Sequence, residues 1–510
     1  MSLPSSLLLD RWSLLRLLRV VLPVALLALV GAALAHLHLS AWGQSRAWSD
    51  VALSETGVAA TLAEFRKYQL GGMGEVPAHA GALWHLLLWV GGGIWGDVNA
   101  VAAILSMCLT IASLIACSRL ARDLFSGNIF VWGALLALAV SPAFLDSLSG
   151  HSSSAPLLFL MLMAVKRHLD GLRGKAPILS PIVALYAGLA GLVDPGAILL
   201  YPLLVLHALI ATPRGVRESL GRPVIMVRGL IGIMTLLLIL WPVVDLNLRI
   251  FRSPLPAPPL PGWDFSSWMG WLGAERLQIV PLLLALLALV AGRLRTLRDP
   301  FVSLLPLLLA GALLVDPITR RLGWQGGAPF RTLLEPMALL AFAWCLLAVL
   351  RSFGRDAVAR RNASMAVACV TVLVSAALAI RIQAATLRQG AEQTATLRQA
   401  LSAETPDPSR MIATDLPGWF YHQGYRKILD LTGRSCADVL RCVDANRQLA
   451  REELLQYFRA QQPSLMVLLS HDLAWIQPRL VQELGTANVT TSVTPCGHGH
   501  LQVIRLKWSP

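Results

Sequence analysis

Long apolar runs separated by short, arginine-rich breaks constrain this chain more than any other feature. Runs such as Leu17 to Leu37 and Asn99 to Ala116 reach or approach the ~20 residues that an α-helix needs to cross bilayer hydrocarbon. Of the 510 residues, 55% are hydrophobic and 14% charged, and the mean hydropathy is +0.62. That leaves too little polar surface for a water-soluble fold of this size. Lipid is therefore expected to solvate much of the molecule. The first run lacks a small-residue cleavage site at its end, so it reads as a retained helix rather than a signal peptide.

The breaks set the orientation. Arg11, Arg16 and Arg19 precede the first run and place the N-terminus in the cytoplasm. Five later breaks are basic: Arg119/Arg122; Lys166/Arg167/Arg173/Lys175; Arg214/Arg217/Arg222/Arg228; Arg293/Arg295/Arg298; Arg351/Arg355/Arg360/Arg361. All five fall on the cytoplasmic side if spans lie at 17–37, 99–116, 129–146, 155–166, 177–193, 196–211, 229–247, 277–292, 301–316, 332–350 and 364–382. The stretch 78–95, with Trp84, Trp89 and Trp95, then reads as an interfacial helix rather than a span. A net charge of +14 in a soluble chain would point to nucleic acid; here the cations report topology and contact with anionic lipid, and no nucleic-acid partner is expected. Arg320, Arg321 and Arg331 share one outer loop, where positive charge needs another explanation.

The expected fold class is a polytopic α-helical membrane protein with about eleven transmembrane helices, N-terminus in and C-terminus out. Residues 1–382 form the membrane domain, with a first outer loop at 39–98 carrying juxtamembrane helices. A helical linker at 383–403 leads to an extracytoplasmic α/β domain at 404–510, long enough for a small core. That domain shows β-like runs at Met411 to Asp415, Lys427 to Leu431, Leu465 to Leu469 and Leu501 to Leu506, and a helical pattern from Ala445 to Ala460. Trp419, Phe420 and Tyr421 suit either glycan binding or its core.

Four cysteines lie in apolar runs, where Cys acts as a small hydrophobe. Cys436, Cys442 and Cys496 lie in the C-terminal region, and Cys436 with Cys442 is the candidate disulfide. Cys496-Gly-His498-Gly-His500 has metal-ligand residue types but no distant partner, and reads as a turn. Walker, Rossmann and HExxH patterns do not occur.

The first outer loop carries the most chemistry. Asp50 and Glu55 head a segment in which Val58, Leu62 and Phe65 recur at the spacing of an amphipathic helix. A carboxylate just outside a span can act as general base toward a hydroxyl, while Ser49 and Asp50 equally suit a helix cap. His151 and Asp146 flank the second outer loop, where a His beside an acid could orient an acceptor or bind a metal, or simply be solvated. His85 beside Trp84 could line the same cavity. Asp194 precedes Pro195 at a membrane edge, where a carboxylate can cap a helix.

The order of these features resembles the GT-C superfamily of integral-membrane glycosyltransferases. An early acid, a helix, a Gly-rich turn and a Leu-Trp stretch match that family's first outer loop. SPAFLDSLSGHSSSAPLLFLML looks like its second, GLVDPGAILLYPLL like the turn between its fifth and sixth spans, and GGAPFRTLLEP like its late Arg-containing loop. MIATDLPGWFYHQGYRKILDLTG resembles the start of the extracytoplasmic domain in the mycobacterial arabinofuranosyltransferase-like branch; protein mannosyltransferases and lipid A aminoarabinose transferases are more distant. The resemblance implies a polyprenyl-phosphate-linked sugar donor, with an envelope glycan, glycolipid or protein as acceptor and membrane lipid around the site.

Under that resemblance Asp50 occupies the catalytic-base position, with Glu55 and His151 helping to position the acceptor. Arg331, with Arg320 or Arg321, grips the phosphate through the planar guanidinium fork, and Asp146, His85 and Asp194 complete the substrate-binding set. The chain departs from the family where Ser49-Asp50 replaces two adjacent acids, where His151 and three serines follow the second-loop Gly, and where Asp194 replaces an Arg. These departures bear on metal dependence and donor identity: no cofactor is certain, and a divalent metal stays open. Two other classes fit the composition, a flippase or transporter for a lipid-linked substrate and a catalytically degenerate scaffold of envelope assembly. The expected location is the bacterial inner membrane, with the C-terminal domain in the periplasm.

Overall fold

The computed structural model describes residues 50–65, 81–125, 128–139, 141, 144, 147, 152–211, 223–251, 300–315, 329–353, 395–401, 409–431, 455–469, 476–496 and 499–508. The spans expected at 17–37, 277–292 and 364–382 lie outside them.

Ten helices of ten or more residues precede the sheet among the described residues. They are α1 (Asp50–Phe65), α2 (Ala82–Trp95), α3 (Val98–Leu124), α4 (Asn128–Ala139), α5 (Ser154–Leu172), α6 (Pro181–Val193), α7 (Leu200–Ala211), α8 (Pro223–Phe251), α9 (Pro300–Ala310) and α10 (Pro329–Phe353). Two of them, α3 and α8, are by themselves long and apolar enough to cross a membrane. The 27 residues of α3 reach about 40 Å, and Asp97 starts that helix by accepting the amides of Asn99 and Ala100.

Several spans differ from the pattern read in the sequence: the one expected at 99–116 runs on as α3 to Leu124, and the one expected at 229–247 runs from Pro223 to Phe251 as α8. The one expected at 155–166 runs on as α5 to Leu172, because Lys166 pairs with Asp170 one turn ahead at 2.5 Å and so continues the helix. The one expected at 196–211 opens with a 3-10 turn, Pro195–Leu199, before α7. The one expected at 301–316 ends in a π-helical turn, Gly311–Val315, at whose first residue a Cβ would collide with the ring of Phe330.

The bundle packs through small residues. A Cβ on Gly188 of α6 would stand 3.1 Å from Ile239 of α8, and one on Gly191 would stand 3.2 Å from Leu240. On Gly232 of α8 it would run into Tyr201, whose hydroxyl donates to the Gly229 carbonyl. Close backbone approach of this kind is how helices pack where apolar side chains gain nothing by leaving lipid. The outer face of α8 is large and apolar, with Leu230 61%, Leu238 76% and Trp241 60% exposed.

Beyond the bundle lie β1 (Met411–Thr414), α11 (Pro417–His422), β2 (Lys427–Asp430), β3 (Leu465–Leu468), α12 (Ile476–Leu484), β4 (Val489–Cys496) and β5 (Gly499–Leu506). Their sheet has the order β2-β1-β3-β5-β4. β1 runs parallel to β2 and β3, whereas β5 runs antiparallel to β3 and β4. Strand alternation divides the apolar residues between two faces. Ile412, Leu465, Val467, Leu501 and Val503 face one cluster with Phe420 and Tyr421; Ala413, Met466, Leu468, Ile504 and Leu506 face the other with Phe458 and Leu480. The Cys496 and His500 region forms the β4–β5 hairpin end, and Cys436 and Cys442 lie outside the described residues.

Candidate active site where the bundle meets the C-terminal sheet

Helix α1 lies between the two parts. Leu53 and Ala59 join Trp84, Leu88, Val101 and Ala102 of α2 and α3 in one apolar cluster, while Val58 joins Phe420, Tyr421 and Ile412 in the cluster on one face of the sheet. The expectation of an amphipathic helix is therefore corrected: α1 is buried on every side from Leu53 to Ala59, because partners cover both its faces. It carries Ser54, Glu55, Thr56 and Thr61 into that interior, all under a tenth exposed.

Buried polar groups need partners, and those of Glu55 mark the site. Its Oε2 accepts the backbone N–H of Ser153 at 3.0 Å. Ser153 is the residue that caps α5, so the carboxylate sits at the positive end of a helix dipole. Its Oε1 borders Gly81, whose φ is +71°; a Cβ there would stand 3.5 Å from Oε1 and 3.5 Å from Cε1 and Nε2 of His85. A side chain at position 81 would be strained and would also fill the space between the acid and the imidazole. The Gly81 N–H donates to the carbonyl of Val193 at 2.9 Å. Four segments distant in sequence thus converge: the first turns of α1, the start of α2, the start of α5 and the end of α6.

Asp194 follows directly. It is 2% exposed, and its Oδ1 accepts the Gly196 N–H at 2.8 Å, capping the 3-10 turn as its place before Pro195 led one to expect. Helix α10, which carries Arg331 in its first turn, packs on that turn and on α5, and Arg331 is 8% exposed. A buried guanidinium and two buried carboxylates thus sit on packed neighbouring elements. Charges are stronger here than in water.

Of the sequence-derived candidates, the structure brings Glu55 and His85 together around Gly81 and places Asp194 at the end of the segment that holds Gly81. Asp50 is the first residue of α1. The side chain of Asp50, and all of Asp146, His151, Arg320 and Arg321, lie outside the described residues. Phe420 and Tyr421 are core, 0% and 6% exposed. Among the described residues no three His, Cys, Asp or Glu side chains gather as a metal-binding group.

Three contributors were not named from the sequence: the Ser153 amide, Gly81, and the pair Tyr421–His422 as partners of α1. Thr56 Oγ1 donates to the Leu53 carbonyl at 3.1 Å and lies 3.2 Å from His422 Nε2. Thr61 Oγ1 donates to the Gly57 carbonyl at 2.9 Å and shares a hydrogen bond with the Tyr421 hydroxyl at 3.2 Å. Protein atoms crowded around the His422 ring lower its pKa below the ordinary histidine value; the Leu53 carbonyl opposes that shift and Arg426 adds to it. The ring is therefore neutral at pH 7. Only the aromatic–histidine string GWFYH hinted at this contact.

No protein-family model matches the chain, and no curated protein matches it by sequence. Its structure is similar to that of ArnT from Cupriavidus metallidurans bound to undecaprenyl phosphate, with TM-score 0.52 and 12% identity over 93% of this chain and 97% of that one. The same protein in the apo state gives TM-score 0.54 and 14% identity over the same shares. A weaker similarity, TM-score 0.48 and 12% identity over 89% of this chain and 70% of that chain, is to the archaeal oligosaccharyltransferase AglB from Archaeoglobus fulgidus in complex with an inhibitory peptide and a dolichol-phosphate. The chain shares the fold of the ArnT structures along nearly its whole length.

Proposed function

We propose that this protein is a membrane glycosyltransferase that moves a sugar from a polyprenyl-phosphate donor to an envelope glycan, glycolipid or protein on the outer face of the bacterial inner membrane. The observation that carries the reading is the buried Glu55 carboxylate, set between two loops and two helix ends in a chain whose fold matches a structure holding undecaprenyl phosphate.

Asp50, at the head of α1, takes the proton from an acceptor hydroxyl. The oxygen of that hydroxyl forms a bond to the anomeric carbon while the bond from that carbon to the phosphate oxygen breaks. The electron pair leaves with the polyprenyl phosphate, and direct displacement inverts the anomeric centre. Glu55 orients the acceptor, aided by His85 and His151, and Asp146 and Asp194 shape the sugar pocket. Arg331, with Arg320 or Arg321, stabilises the charge developing on the leaving phosphate. Resemblance to the arabinofuranosyltransferase-like branch makes a pentose the first donor to look for.

Mass spectrometry of envelope glycans and polyprenyl-linked sugars in a deletion strain tests the reading. One sugar should be lost and its lipid-linked form should accumulate, with rescue by wild type but not by Asp50→Asn or Glu55→Gln at equal expression. Full rescue by both variants would favour a scaffold or a flippase instead.

A further inference from the structure

We propose that Tyr421 and His422, on the short helix after the first strand of the C-terminal sheet, are positioning residues that set the register of α1 and so hold Glu55 against the second loop. The proposal rests on the reading of Glu55 as part of the site.

Thr56 Oγ1 donates to the Leu53 carbonyl and lies 3.2 Å from His422 Nε2, which donates to it in the tautomer that carries the proton there. Thr61 Oγ1 donates to the Gly57 carbonyl and to the Tyr421 hydroxyl, the latter at 3.2 Å. Two side chains of one helix thus engage α1 at residues five apart, about 7.5 Å along its axis. Two points fix both rotation and translation, which a single greasy contact does not.

The consequence falls on Glu55, which is covalently next to Thr56 and faces another side of the helix. Sliding α1 by one residue would move the carboxylate by about 1.5 Å and turn it by about 100°, away from the Ser153 amide. Displacements of that size cost orders of magnitude in a reaction that depends on alignment. The two side chains are themselves braced. The guanidinium of Arg426 lies 4.6 Å over the Tyr421 ring and donates to the Tyr421 carbonyl at 3.1 Å, and Trp419 packs against both apolar clusters that α1 joins.

The test uses full-length protein in lipid vesicles, with two readouts. Hydrogen exchange of the α1 amides needs no substrate. Transfer is measured with lipid-linked sugar extracted from the deletion strain. His422→Leu, which removes the donor, should speed exchange in α1 about tenfold, the worth of one hydrogen bond. It should lower turnover by at least as much, with the apparent KM for the extract unchanged. His422→Gln, which restores a neutral N–H donor, should recover both, and Tyr421→Phe, which keeps the ring, should reproduce the loss. Unchanged exchange in His422→Leu, or a Gln variant as impaired as Leu, would overturn the proposal. Glu55→Gln separates the two readings: if it transfers normally the assignment of Glu55 fails, while the exchange data still decide the register claim.

Discussion

Where α6 meets α8 in the helical bundle, the inward residues of α6 are small and the outward ones of α8 large. Ala184, Ala187 and Ala190 are fully buried, and Leu238 and Trp241 are more than half exposed. In the C-terminal part the order is reversed: Phe458, Leu465 and Met466 are fully buried, and the edge strand β4 presents mostly Thr and Ser outward. Both parts fill their interiors, yet only the second separates polar from apolar. The difference is the one expected of lipid outside the bundle and water outside the sheet. Where lipid lies outside, burial confers no hydrophobic gain and close packing decides which residues go in; where water lies outside, apolar area does. Helix α1 belongs to neither regime, since it is enclosed by both parts and carries its polar residues inside.

The comparison can be broken in three places. Phe458→Ala, in the helical segment packed against the sheet, should cost about 3–5 kcal/mol, the usual cost of emptying an aromatic core position. Denaturation followed by the exchange of sheet amides should show the C-terminal part melting first. A paired substitution should separate the two solvents most sharply. Leu238→Arg, near the middle of α8, should cost about 3 kcal/mol and reduce insertion. Val493→Arg, on the sheet's edge strand at 56% exposure, should change stability by less than about 0.5 kcal/mol. Equal effects at the two positions would mean that they face the same solvent. Gly232→Ala should cost about 1–3 kcal/mol through its collision with Tyr201, read as a lower melting temperature of the detergent-solubilised protein and relieved by Tyr201→Phe or a smaller residue.

How legible these regions were follows the same physics. Apolar runs and basic breaks located α3 to α10, because span length and cation placement are properties of the chain itself. Some span ends escaped because they depend on single contacts, such as the Lys166–Asp170 pair and the ring of Phe330 beside Gly311. In the sheet, β1, β2, β3 and β5 coincide with the β-branched and aliphatic runs. β4, VTTSVTPC, did not stand out since only two of its residues are aliphatic, as befits a strand at the sheet edge. Glu55 could be named from its place ahead of a helix, but not its setting. Its partner Ser153 is 98 residues away, and the partners of Thr56 and Thr61 are more than 350 away. Those contacts exist only once the two parts have met.

The most direct measurement follows the leaving group. Purified full-length protein in vesicles is given lipid-linked sugar from the deletion strain and envelope acceptor, and free polyprenyl phosphate is counted by mass spectrometry against sugar transferred. The account predicts one polyprenyl phosphate released per sugar in wild type, and a rate about a thousandfold lower in Glu55→Gln, about 4 kcal/mol of barrier. Wild-type protein that releases none, or a Glu55→Gln variant that keeps pace with it, would contradict the account.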